Sequence, residues 1–133
     1  MSLTVEERKV IVELEMEKAH ETFEEIGILT AANRWNGAAS RLYYAVFHAV
    51  NALLIHDAHA VNTHKGSHAI FNLYYIKTGL LQEEFGRLYN QLLTMREESD
   101  YNCAFNVEPE ILQKNIEPSR RLINAIDELI KGK

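Results

Sequence analysis

The chain has 133 residues, 47% of them hydrophobic and 25% charged, with a net charge of −5. That length accommodates one ordinary core, the balance excludes a disordered tail, and two prolines with six glycines disfavour a turn-rich all-β fold. A surface that is negative on the whole should repel nucleic acid and anionic lipid, so any RNA or nucleotide contact has to be a local basic pocket.

The single cysteine, Cys103, excludes an intramolecular disulfide and a cysteine-based zinc site, and fits a reducing compartment. The N-terminal residues lack the apolar run of a secretory leader. The most apolar stretch, Tyr43 to Ile55, is broken by His48 and Asn51 and falls short of the ~20 residues a membrane span requires. A soluble, cytoplasmic, single-domain protein over residues 1–133, with no membrane association, is expected.

Helical periodicity runs through nearly every segment. Thr4 and Glu7 form a capping-box pattern, and beyond them Val12, Met16, Ala19, Phe23 and Ile26 recur at steps of four and three. The spacing predicts a first helix from Val5 to Ile26, closed by Gly27 as C-cap. The second, from Asn33 to His56, is the most apolar. Tyr43, Phe47, Val50 and Leu54 make its main stripe, and five alanines offer small faces to its neighbours. It is predicted to be central and buried.

A loop from Asp57 to Thr63 leads to a third helix capped by Thr63. That helix runs to about Lys77, burying Ile70, Phe71, Tyr74 and Tyr75. A fourth, from Leu81 to Ser99, presents Phe85, Leu88, Leu92 and Met95. Pro109 suits the first turn of a fifth, and Pro118 inside it should kink or restart it. The fold expected is all-α: an up-and-down four-helix bundle with a fifth short or kinked segment.

Within the greasiest helix, Arg41, Tyr44 and His48 share a face, where polar groups are costly unless paired. Arg96, Ser99 and Asp100 share another, with Tyr101 beside it. Asp100 is therefore expected to accept hydrogen bonds from Arg41 or His48 across the bundle. A buried polar network that only sets helix register is the plainer alternative. His64 and His68, four apart on one face, are the best-spaced metal-ligand pair, though no cysteine joins them and a solvated capping cluster is the better expectation.

The run Ala39-Ser-Arg-Leu-Tyr-Tyr-Ala-Val-Phe-His-Ala-Val-Asn-Ala-Leu-Leu54 closely resembles the central helix of the HEPN family. So do Thr63-His64-Lys65-Gly66 with Phe71 after it, and Arg96-Glu-Glu-Ser-Asp100-Tyr101. The three pieces agree in order and spacing, and the likeness covers roughly residues 5 to 131. The resemblance implies a small helical bundle, commonly a homodimer. It also implies pairing with a minimal nucleotidyltransferase as a toxin–antitoxin or related couple; if such a partner nucleotidylates this chain, Tyr101 is the first side chain to examine. No cofactor is implied.

Many members of the family are metal-independent ribonucleases carrying an Arg-x4–6-His motif. The arginine steadies phosphate charge, and the histidine moves protons at the attacking and leaving oxygens. Here, counting from Arg96, the histidine positions hold Tyr101, Asn102 and Cys103, so the proton-moving half is missing. His48 or His64 can replace it only if the fold carries one of them to Arg96.

The expected role is therefore a HEPN-like module. It binds nucleotide or RNA through Arg41, Tyr44, His48, Arg96, Asp100 and Tyr101, with His64 and Lys65 from the start of the third helix, or holds a nucleotidyltransferase. Two other readings remain open: an endoribonuclease toxin with a non-standard site around Arg96 and Tyr101, and a purely structural interaction scaffold.

Overall fold

Thr4 opens the first helix with reciprocal bonds: its Oγ1 accepts the Glu7 N–H at 3.1 Å, and its own N–H donates to Glu7 Oε1 at 2.8 Å. The computed structural model describes residues 3–60 and 63–132. Its elements are α1 (Val5–Ala31), α2 (Trp35–His56), α3 (His64–Phe71), a π-helical turn (Asn72–Ile76), α4 (Glu83–Tyr101) and α5 (Pro109–Ile130). Among the described residues there is no strand. The fold is all-α, with four long helices and one short helical segment. The short segment is third in the chain rather than fifth, and residues 61 and 62 of the expected loop before it lie outside the described residues.

The first helix outruns its expected end at Gly27. Nothing lies within 4 Å of where a Gly27 side chain would start, and the helix continues for another turn. Asn33 ends it instead, at φ 59°, a left-handed conformation asparagine tolerates. The Asn33 N–H bonds to Thr30 O at 3.0 Å and the Arg34 N–H to Leu29 O at 2.8 Å, which is a Schellman closure. Gly27 is thus an exposed mid-helix glycine with an entropic cost and no steric role. Gly27→Ala is expected to raise unfolding stability by about 0.5–1 kcal/mol in urea denaturation.

α2 is the central helix and touches α1, α3, α4 and α5. Leu42, Tyr43, Val46, Val50, Leu53 and Leu54 are fully enclosed, and Ala38, Ala39, Ala45, Ala49 and Ala52 let neighbouring helices come close. α1 runs antiparallel to it, with Arg41 opposite Glu25 and His48 opposite Glu15. α5 in turn lies antiparallel to α1, where His20 meets Asp127 at 2.9 Å and the Arg120 guanidinium covers the Phe23 ring at 4.8 Å. Asn36 Oδ1 takes the Val107 N–H at 2.8 Å and so ties the loop before α5 to the start of α2.

Two local expectations are corrected. The third helix does not continue regularly to Lys77: the Lys77 N–H reaches back five residues to Asn72 O, making a wider π turn. Tyr75 stays buried while Leu73 and Tyr74 come half into solvent, so Tyr74 is not the core residue its spacing suggested. α4 crosses this turn at Gly86, where a Cβ would lie 2.9 Å from Asn72 Oδ1 and 3.3 Å from two carbons of Ile76.

The second correction concerns Pro118, which neither interrupts nor restarts α5. Proline removes the donor that would serve Lys114 O, and two side chains beside it bond to neighbouring carbonyls of the same helix. Asn115 Nδ2 donates to Ile111 O at 2.9 Å, and Ser119 Oγ donates to Asn115 O at 2.7 Å.

Candidate functional site

Near the C-terminal end of α4, Arg96 lays its guanidinium against two successive residues of α2. The guanidinium carbon is 5.3 Å from the Tyr44 ring centre and 5.7 Å from that of Tyr43. Its side chain is only 15% exposed. Nε approaches Asp100 Oδ2 to 3.1 Å, one turn along the same helix, but the carboxylate lies off the N–H direction. The buried Nε makes no hydrogen bond among the described residues. The rings hold the cation by their quadrupoles without consuming its donors, and because Nε is enclosed an oxyanion would have to use the terminal nitrogens.

His64 joins this group from the first residue of α3. Thr63 places it: Thr63 Oγ1 accepts the Gly66 N–H at 2.9 Å and starts the helix at that point. The imidazole stacks on Phe47 with ring centres 4.2 Å apart and tilted by 16°, and its Nδ1 is 2.7 Å from the Tyr43 hydroxyl. Tyr43 is fully buried, and desolvation pushes its phenol up to about 12, so it keeps its proton. That proton needs an acceptor, and His64 Nδ1 is the one at hand, which leaves the His64 hydrogen on Nε2. Partial burial and the field of Arg96 both lower the His64 pKa, in that order of size, so the ring is neutral at pH 7. The result is a fixed cation, a neutral imidazole and the Tyr44 ring on one surface, with Glu97 contributing an opposing charge; Lys65, next to His64 in the chain, is exposed.

Behind this surface lies a second histidine. His68 is 8% exposed and stacked 3.6 Å from the Tyr89 ring, and its Nε2 has no hydrogen-bond partner among the described residues. Burial lowers its pKa from 6.5 to about 4, helped by the charge of His64. The folded protein therefore holds this ring neutral, while the unfolded chain takes up a proton near pH 6.5. Stability is expected to fall as pH drops from 6.5 to 4, by up to about 3 kcal/mol from this group, with no further loss from it below that. The difference in unfolding free energy between wild type and His68→Phe, measured across that window, isolates the effect from the carboxylates.

The expected pairing of Arg41 or His48 with Asp100 does not form. Arg41 Nε is 3.1 Å from Glu25 Oε1 on α1, with both side chains about half exposed, and Asp100 turns back to Arg96. His48 Nδ1 is 3.4 Å from Glu15 Oε1, also on α1. The stripe Arg41–Tyr44–His48 is split because α2 is wrapped on several sides: Arg41 and His48 border α1, and Tyr44 borders α4. Ser99 spends its hydroxyl on Met95 O at 2.8 Å. Tyr101 is 79% exposed at the last residue of α4.

His64 and His68 do not act as a pair, since one is bonded to Tyr43 and the other is packed on Tyr89. Among the described residues no group of three or more His, Cys, Asp or Glu could hold a metal ion. No described helix is long and apolar enough to cross a membrane.

Tyr43, Phe47, His68 and Tyr89 support the site and were not read as part of it from sequence. The one available signal was the Tyr43-Tyr44 doublet, whose rings point about 100° apart on a helix, yet both meet Arg96.

A small all-α bundle with a tyrosine-backed arginine near the end of its fourth helix defines the class. The chain belongs to the HEPN family: the HEPN domain model matches residues 12–129. It is 31% identical over 125 residues to a UPF0332 protein of Thermotoga maritima, covering 94% of this chain and 95% of that protein. Two proteins of Methanocaldococcus jannaschii are each 30% identical. "Putative toxin MJ0605" matches over 79% of this chain and 75% of its own length, and "Putative toxin MJ0142" over 83% and 76%.

Proposed function

We propose that this HEPN domain binds the phosphate of a nucleotide or an RNA at the Arg96–Tyr44–His64 surface, as the effector half of a toxin–antitoxin-type pair. The observation that supports it best is Arg96 itself: a mostly enclosed guanidinium held by two aromatic faces, with a buried Nε that makes no hydrogen bond among the described residues. His64 Nε2–H adds a neutral donor for a phosphate or ribose oxygen, Lys65 a second positive charge, and the Tyr44 ring a face for a base. The relatives named as toxins in M. jannaschii agree with that role. A homodimer and a nucleotidyltransferase partner belong to the same reading, and the exposed Tyr101 hydroxyl is the group such a partner reaches most easily.

A second reading, a metal-independent endoribonuclease, draws on the presence of His64 beside Arg96, where the chain lacks the usual histidine. Its weakness is the tautomer. With Tyr43 donating to Nδ1, Nε2 carries a hydrogen and has no lone pair with which to take one from a 2′-hydroxyl. Fluorescence anisotropy with a short labelled RNA, calorimetry with ATP and GTP, and incubation of total RNA in EDTA distinguish the readings. Saturable binding with intact RNA is expected. Cleavage lost in His64→Ala would favour the enzyme, and no binding by any probe would overturn both.

A further inference from the structure

We propose that the open end of the bundle, remote from Arg96, is a binding site for a small aliphatic carboxylate. The buried stripe of α1 (Val12, Met16, Ala19, Ile26) continues backwards at helical spacing onto Val5, Arg8 and Lys9. Among the described residues no other element covers the stripe there, and Val5 is 72% exposed although it stands on the core-facing line. Between this first part of α1, the last residue of α2 and the last residue of α5 lies a cavity of about 390 Å³, within the size range of small-molecule sites.

Its chemistry has two halves. Val5, Val12 and Ile130 supply an aliphatic wall, and among the described residues that line it the only aromatic ring is the His56 imidazole at the rim. Arg8 and Lys9 supply charge, and neither is in an ion pair among the described residues, in a chain with 19 carboxylates for 14 cations. Glu13 lines the same cavity, which leaves two cations against one carboxylate among its lining residues.

His56 completes the rim with a braced ring. Its Nδ1 is 2.8 Å from Asp57 Oδ1, and the other Asp57 oxygen receives the Tyr75 hydroxyl. A carboxylate head beside Arg8 and Lys9, with an aliphatic tail against Val5, Val12 and Ile130, satisfies both halves. The site lies twelve residues along α2 from Tyr44, roughly 18 Å, and is independent of the phosphate-binding reading.

NMR titration of the full chain with butanoate, hexanoate and octanoate tests it, with hexanol and acetate as controls for tail and head alone. The expected result is saturable shifts of the Val5, Val12 and Ile130 methyls. Affinity should rise up to about fourfold per methylene while the tail remains in the cavity, and weaken at least tenfold in Arg8→Gln/Lys9→Gln. Val5→Trp, which fills the mouth from an exposed position, should abolish the shifts without lowering the melting temperature. Absence of saturable shifts, hexanol binding as well as hexanoate, or unchanged affinity in the double variant would each overturn the proposal.

Discussion

Arg96→Ala is expected to weaken RNA or nucleotide binding by roughly ten- to a hundredfold, the equivalent of losing charge-assisted hydrogen bonds of about 1.5–3 kcal/mol. The reason is geometric. The guanidinium is held in place by Tyr43 and Tyr44 rather than by hydrogen bonds, so its donors are oriented before a ligand arrives and little entropy is lost on binding. Arg96→Lys should recover only part of the affinity, because an ammonium presents no planar fork. Asp100→Asn should leave binding intact or tighten it, since it removes the carboxylate that sits 3.1 Å from Nε.

Arg41→Ala makes the contrasting control. That side chain is half exposed and faces Glu25, an ion pair worth at most ~1 kcal/mol, and it should alter neither binding nor stability appreciably. Anisotropy and thermal melting on the same variants separate the alternatives. If Arg96→Ala lowers the melting temperature and leaves affinity unchanged, the arginine is internal glue and the proposed site is wrong.

Tyr89→Ala is expected to cost about 3–5 kcal/mol of unfolding free energy. The ring is fully enclosed. It stacks on His68 at 3.6 Å and on Tyr43 at 5.9 Å and takes the Phe71 ring edge-on at 5.5 Å, so its loss opens a cavity between α2, α3 and α4 together. Against the roughly 5–15 kcal/mol that holds a domain of this kind together, that is a large fraction. Tyr89→Phe should cost far less, about 1 kcal/mol, because it keeps the ring and loses only a hydroxyl whose contact with Ser67 is long at 3.4 Å and which also meets the Tyr43 hydroxyl. In Tyr89→Ala the His68 pKa should move back up toward its ordinary value as water enters, visible in the imidazole NMR titration. An unchanged His68 would show that the stack is not what keeps that ring dry.

Most of the fold was legible because helix signals are local. The Thr4–Glu7 box, the Thr63 cap, the Pro109 start and the apolar stripes of α1, α2 and α4 each depend on residues within a few turns of one another. The misread points had competing local answers. Gly27 is a plausible stop until Asn33 provides a better one, and a regular helix through Tyr74 differs from a π turn by a single residue of backbone reach.

The sequence by itself determined an all-α bundle, its central helix and its family, and it singled out Arg96 as a candidate. The tertiary structure alone decided which polar groups meet. Periodicity assigns a side chain to a face, but whether residues on the edge of that face turn to one neighbouring helix or the next depends on how the helices cross. That choice sent Arg41 and His48 to the glutamates of α1, folded Asp100 back onto its own helix, and brought His64 from α3 to the tyrosines beneath Arg96. Burial then made that imidazole neutral and its tyrosine partner a firm proton donor, properties that belong to the assembled site and to no single segment of the chain.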